Sequence, residues 1–222
     1  MTARAGTANP GAWSAYRTLV GVAVLAGLAI AAVFEATAPR IAANRAEKLA
    51  AAMALMLPRV HSWDEYTLDD ANLLVAAAAD RPATIYAVYD ADRALLGFAI
   101  KAQVMGYQDR IVALYGYDPF ATNVVGLEVL ASLETPGLGS RIATDAKFRA
   151  NFHALDVSLD RSAQRLANPI LVVPEGSRRQ SWEIDAITGA TVSSRAIGKL
   201  LNTSATSTLP VIHQNLERLR DG

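Results

Sequence analysis

Hydrophobic and polar positions alternate with three different periods along this chain. From Thr18 to Phe34, 17 consecutive residues (TLVGVAVLAGLAIAAVF) carry no charge. Ile41 to Leu57 is rich in Ala, Leu and Met and is followed by Pro58, which predicts a helix continuing from the apolar run. A polar segment, Ser62 to Tyr66, precedes a second predicted helix over Leu68–Ala79. The period then shortens. Thr84–Tyr89 and Leu95–Ile100 are strand-like and are joined by Asp90-Ala91-Asp92-Arg93, which is turn chemistry. Ile111–Tyr115 and Val124–Leu130 form a second such pair around Asp118-Pro119, and Ile170–Val173 is a shorter apolar candidate. Helical spacing returns with Val192, Ala196, Ile197, Leu200 and Leu201, and again with Ile212, Leu216 and Leu219. Two C-terminal helices are therefore expected. Strands in the middle with helices segregated at the ends predict an α+β domain with a central antiparallel sheet and flanking helices.

The uncharged run reaches ~26 Å as a helix, slightly less than a ~30 Å hydrocarbon core. Trp13 and Tyr16 stand where an interfacial aromatic belt would be, and Arg17 can extend outward to water. These features predict a single transmembrane anchor. Ala36-Thr37-Ala38-Pro39 also resembles a signal-peptidase site, although the preceding n-region is long and Glu35 intrudes before it. Arg4, Arg17 and the amino group precede the run without any acid, whereas charges beyond it are mixed. That bias predicts an N-terminus in the cytoplasm and the remainder outside.

Composition narrows the chemistry. Lys plus Arg and Asp plus Glu number 21 each, so no net field attracts nucleic acid, and no basic stripe interleaves with aromatics. There is no cysteine, which excludes disulfides, thiolate nucleophiles and cysteine-ligated clusters in this chain. His61, His153 and His213 lack metal-ligand spacing, and no metal is expected.

The segment Ile184–Leu201 (IDAITGATVSSRAIGKLL) carries the candidate chemistry. Gly189 permits a tight turn, Thr191 suits an N-cap, and a helix beginning at Val192 or Ser193 would turn the amides of Val192, Ser193 and Ser194 toward the Thr191 hydroxyl. Such a terminus accepts an anion, and phosphate fits it well. Two readings stand on local pattern: Thr191 as a helix cap alone, or Thr191 as a hydroxyl esterified to a phosphate held there.

The run Asp185-Ala186-Ile187-Thr188-Gly189-Ala190-Thr191-Val192-Ser193-Ser194 resembles the flavinylation motif of the FMN-binding domain family. That family includes the G subunit of the Rnf electron transport complex and the C subunit of the sodium-pumping NADH:quinone reductase. Glu134-Thr135-Pro136-Gly137-Leu138-Gly139 is similar to a second motif of the family, a loop that lies against the flavin. Gly106-Tyr107 and Tyr117-Asp118-Pro119 also fall where the family has related stretches. The two main motifs stand in the family's order, about 50 residues apart. The resemblance covers roughly Thr84 to Leu201. Tyr115-Gly116-Tyr117 departs from the family's aliphatic pattern, and residues 41–83 match nothing in it.

The resemblance implies FMN attached covalently through Thr191 by a phosphoester that a separate flavin transferase installs. It also implies that Asp185, Thr188, Gly189, Ala190, Val192, Ser193, Ser194, Glu134, Thr135, Gly137, Leu138, Gly139 and Tyr107 contribute to the cofactor site. No catalytic residue is implied, because the protein would be a redox-carrier subunit of an ion-translocating complex rather than a free-standing enzyme. Its partners would be the other subunits, the membrane and the transferase. The expected organisation is an N-terminus and anchor over 1–38, a helical juxtamembrane segment over 39–83 and the FMN-binding domain over 84–222. The domain would lie on the periplasmic side of the cytoplasmic membrane. The alternatives are a flavin carrier of another respiratory or photosynthetic membrane complex, and a structural subunit that keeps the fold without flavin.

Overall fold

The computed structural model describes residues 10–78 and 80–220; Arg4 and Ala79, which entered the topology and helix expectations, lie outside them. The chain forms two compact units, Met1–Glu47 and Lys48–Gly222. Helix α1 runs Pro10–Met56 with Pro39 inside it, and it is long and apolar enough to cross a membrane. None of its most apolar stretch is buried, as a lipid-facing helix requires.

The second unit is built on a seven-stranded sheet whose strands all pair antiparallel. In chain order these are β1 (Ser62–Leu68), β2 (Leu74–Ala76), β3 (Ile85–Tyr89), β4 (Leu95–Met105), β5 (Arg110–Asp118), β6 (Asn123–Ala131) and β7 (Leu155–Asp156). Their spatial order is β2-β1-β3-β4-β5-β6-β7. A 3₁₀ turn (Gly139–Ala143) and α2 (Ala146–Ala150) lie between β6 and β7, and after β7 come the parallel pair β8 (Leu171–Val173) and β9 (Glu183–Asp185), and α3 (Thr191–Arg220).

Both faces of the sheet are covered, which is why β3 is buried along its whole length. Ile85, Ala87 and Tyr89 face one core with Phe98, Tyr115 and the α3 residues Ile197, Leu201 and Ile212. Tyr86 and Val88, on the opposite face, join Met53, Met56 and Leu57 from the end of α1. Gly116 and Gly126 oppose each other across β5 and β6, and Met56 seats in the notch they leave. Here the departure at Tyr115-Gly116-Tyr117 has its explanation. Gly116 admits Met56, and the buried Tyr115 hydroxyl meets Ser204 Oγ of α3 at 2.9 Å.

Two expectations are corrected. Among the described residues no helix forms over 68–78, and within the segment 39–83 helix extends only to Met56. Asp69 Oδ1 accepts hydrogen bonds from the amides of Ala71 and Leu73, Asn72 takes a positive φ, and the chain reverses into β2. Short polar side chains that bond their own backbone compete with helix, and here they turn the apolar run into a hairpin with the "polar" segment as β1. At the other end, the two predicted helices are one. Pro210 interrupts α3 without breaking it, because Leu209, Pro210, Val211 and Ile212 are all buried against the sheet. Tertiary packing offsets the missing backbone hydrogen bond.

Candidate flavin site

Strand β9 delivers the chain into a turn that α3 immediately continues. Gly189 has φ +83°, a conformation that glycine adopts at little cost. The Ala190 amide donates to Ile187 O (2.9 Å), and the Ser194 amide donates to Ala190 O (2.9 Å). The buried Ser194 hydroxyl accepts from the Ile187 amide (3.1 Å) and donates to Ala190 O (2.9 Å), stapling both ends of the turn. Helix α3 therefore starts at Thr191, with Ala190 as the residue whose carbonyl takes the first helical bond.

This register corrects the expected one. Thr191 stands in the first turn rather than capping it, and its hydroxyl makes no protein hydrogen bond among the described residues. The Ser194 amide is occupied. The amides of Thr191, Val192 and Ser193 are the ones without a protein acceptor among the described residues. Thr191 and Val192 are exposed. An open helix start with an exposed hydroxyl at its first residue suits a phosphate group.

The Glu134–Gly139 loop meets this turn. Glu134 is only 5% exposed, yet its carboxylate is fully engaged. It accepts from the Gln108 amide (3.0 Å) and from the buried Ser193 hydroxyl. Burial by itself would raise its pKa; the hydrogen bonds from Ser193 and from the amides of Gln108, Tyr107 and Asp109 outweigh burial and hold it below the usual range. Two glycines make this possible. A Cβ on Gly139 would stand 2.5 Å from Glu134 Oε2 and 2.6 Å from Ser193 Oγ, and one on Gly106 would collide with Glu134 Oε1. Gly137 serves differently: its φ is +76°, and a Cβ there would point into open space. Of the loop's two glycines, Gly139 is the one packed against Glu134 and Ser193.

Together the two segments line a cleft of about 360 Å³ with Tyr107, Glu134, Thr135, Leu138, Gly139, Gly189, Ala190, Thr191, Val192 and Ser193. Exposed Tyr107, Leu138 and Val192 give it apolar walls suited to an aromatic ring system, while the start of α3 suits that ligand's phosphate. Thr188 lines a neighbouring cleft instead, which shares Gly189 and Thr191 with the first. Gly137, Ser194 and Asp185 line neither cleft. Asp185 Oδ1 accepts from the amides of Ser177 (3.0 Å) and Arg178 (2.9 Å), so it shapes the loop after β8.

Residues not singled out from the sequence also belong to this region. Glu175 and Arg195 line the neighbouring cleft, and Arg141 donates to Thr188 O (3.2 Å) while pairing with Asp145. Arg195 was within reach of a sequence reading, since it follows Thr191 by one helical turn. Glu175 was not, because the parallel pairing of β8 with β9 is what carries its loop to Thr188.

Fold and site thus suit a ligand with a phosphate and an aromatic ring, in a chain that also carries a helix long and apolar enough to cross a membrane. Residues 106–206 match the model of the FMN-binding domain family. It is 26% identical over 191 residues to the G subunit of the ion-translocating oxidoreductase complex of Methanosarcina acetivorans, covering 84% of this chain and 89% of that protein. It is 25% identical over 202 residues to the G subunit of the Na(+)-translocating ferredoxin:NAD(+) oxidoreductase complex of Acetobacterium woodii, covering 89% of each. Its fold is similar to the crystal structure of the C subunit of the Na(+)-translocating NADH-quinone reductase from Parabacteroides distasonis. That match has a TM-score of 0.55 at 15% identity and covers 69% of this chain and 78% of the other.

Proposed function

We propose that this chain is a single-pass membrane electron carrier whose FMN is esterified to Thr191, acting as a redox-relay subunit of a Rnf-type ion-translocating complex. The observation that carries the reading is the Thr191 hydroxyl: exposed, unbonded among the described residues, beside three open amides, in a cleft shared with the Glu134–Gly139 loop. FMN, when bound, supplies one- and two-electron chemistry. The protein's residues bind and orient it. The start of α3 would hold the phosphate, and the ester would leave that phosphate one negative charge for the amides to stabilise. Tyr107, Leu138 and Val192 would cover part of the ring, and the Glu134–Ser193 bond would fix the loop against the helix. Similarity to the G subunits of two ion-translocating complexes supports a place among other complex subunits. The acid-free N-terminal flank supports a flavin domain on the periplasmic side, where a flavin transferase would attach the cofactor.

Denaturing electrophoresis of full-length protein co-expressed with a flavin transferase tests the reading. A band fluorescent under ultraviolet light is expected. Flavin that runs with the dye front while the protein band stays dark would contradict covalent attachment.

A further inference from the structure

Two hydroxyls stand in the run Thr188-Gly189-Ala190-Thr191, and both residues are exposed. Exposure therefore does not choose between them. Their surroundings differ. The Thr188 amide donates to Glu175 Oε2 at 3.2 Å, and the Thr188 carbonyl accepts from Arg141 Nη1 at 3.2 Å. The amide bond sets the Glu175 carboxylate against Thr188. Thr191 has none of these partners. It stands beside the open amides of α3, and Arg195 and Glu175 both line the cleft it shares with Thr188.

We infer that Glu175 is a positioning residue that directs flavin attachment to Thr191 by setting its carboxylate against Thr188, an inference that rests on the covalent reading above. The reaction joins a threonine Oγ to the flavin's phosphorus as the pyrophosphate P–O bond of a flavin dinucleotide donor breaks. The hydroxyl proton leaves, and the nucleoside monophosphate departs. A phosphate group approaching Thr188 meets the Glu175 carboxylate, and like charges repel. The same phosphate approaching Thr191 meets the open amides at the start of α3. The loop carrying Glu175 owes its shape to other groups: Asp185 receives the amides of Ser177 and Arg178, and the Ser177 amide also donates to Pro174 O. Removing the Glu175 side chain therefore leaves the loop in place.

The test is peptide mass mapping of full-length protein co-expressed with a flavin transferase, in four forms: wild type, T191A, T191A/E175A and T191A/E175Q. The wild type is expected to carry the FMN-minus-water mass on Thr191 alone, and T191A to carry none. T191A/E175A is expected to gain that mass on Thr188. T191A/E175Q, which keeps an acceptor for the Thr188 amide without the charge, is expected to gain it as well. Flavin on Thr188 in T191A, with Glu175 intact, would overturn the inference. So would its absence from Thr188 in both double variants when the wild type is modified at Thr191. An unmodified wild type would instead remove the covalent reading, and this inference with it. Loss of fold in one double variant is recognised by its unfolding transition, and the other then decides.

Discussion

Replacing Gly139 by Ala inserts one methyl group into the joint between the two halves of the candidate site. Gly139 has no positive φ, so alanine suits its backbone and the effect is steric. The new Cβ would lie 2.5 Å from Glu134 Oε2 and 2.6 Å from Ser193 Oγ, closer than real Cβ contacts. Both atoms belong to buried side chains bonded to each other, so one must move and the charged hydrogen bond breaks. Overpacking costs about 1–3 kcal/mol. A hydrogen bond to a charged group contributes about 1.5–3 kcal/mol, part of which water can restore. A loss of roughly 2–4 kcal/mol is expected, which at ~2–4 °C per kcal/mol lowers the unfolding midpoint by about 5–15 °C. Gly137→Ala is the control. It meets open space and bears only the left-handed strain of about 1–2 kcal/mol. Thermal unfolding of both variants in mild detergent, followed by near-ultraviolet circular dichroism, separates the two effects. If Gly139→Ala were as mild as Gly137→Ala, the Glu134–Ser193 joint could not be what holds the loop against α3.

Thr191→Ala is expected to abolish flavin fluorescence in a denaturing gel while changing stability by no more than about 0.5 kcal/mol. Its hydroxyl bonds nothing in the protein, and alanine favours helix; a gel band that still fluoresced would refute the assignment. Glu134 titrates lower in the folded protein than in the unfolded chain, where a glutamate has a pKa near ~4.3. Its stabilisation is therefore present above that unfolded value and is lost as pH falls through the lower folded value. Glu134→Gln should flatten this part of the acid-unfolding curve, and a curve identical to wild type would contradict the sign. For topology, intact mass should include residues 1–38, and protease added to spheroplasts should digest the domain. A domain protected until the cells are lysed would reverse the orientation.

How far the sequence carried depended on whether the deciding interaction was local. The short apolar runs Thr84–Tyr89 and Leu95–Ile100, with an Asp-rich turn between them, foretold β3 and β4, because such a run bounded by turn residues is written within the strand itself. The hairpin of β1 and β2 was missed because an alanine-rich stretch has helical propensity. The side chain of a single aspartate, Asp69, overrides that propensity. The continuity of α3 through Pro210 was missed because only burial against a distant sheet allows it. In the site, the proximity of the Glu134–Gly139 and Thr188–Thr191 segments followed from the family resemblance rather than from any residue pattern. The register was finer than the sequence could reach. That Ser194 consumes its own amide and closes the turn, leaving Thr191 inside the first turn, depends on hydrogen bonds between groups seven residues apart or fewer. Those bonds compete with equally plausible caps.

The central claim is tested most directly by locating the flavin on the chain. Full-length protein made with a flavin transferase should be denatured, digested and analysed by tandem mass spectrometry. The account predicts one FMN less one water on the peptide containing Thr191, with fragment ions placing it on that threonine. The same mass on Thr188 or another side chain, or an unmodified Thr191 peptide from protein that releases its flavin on denaturation, would contradict it.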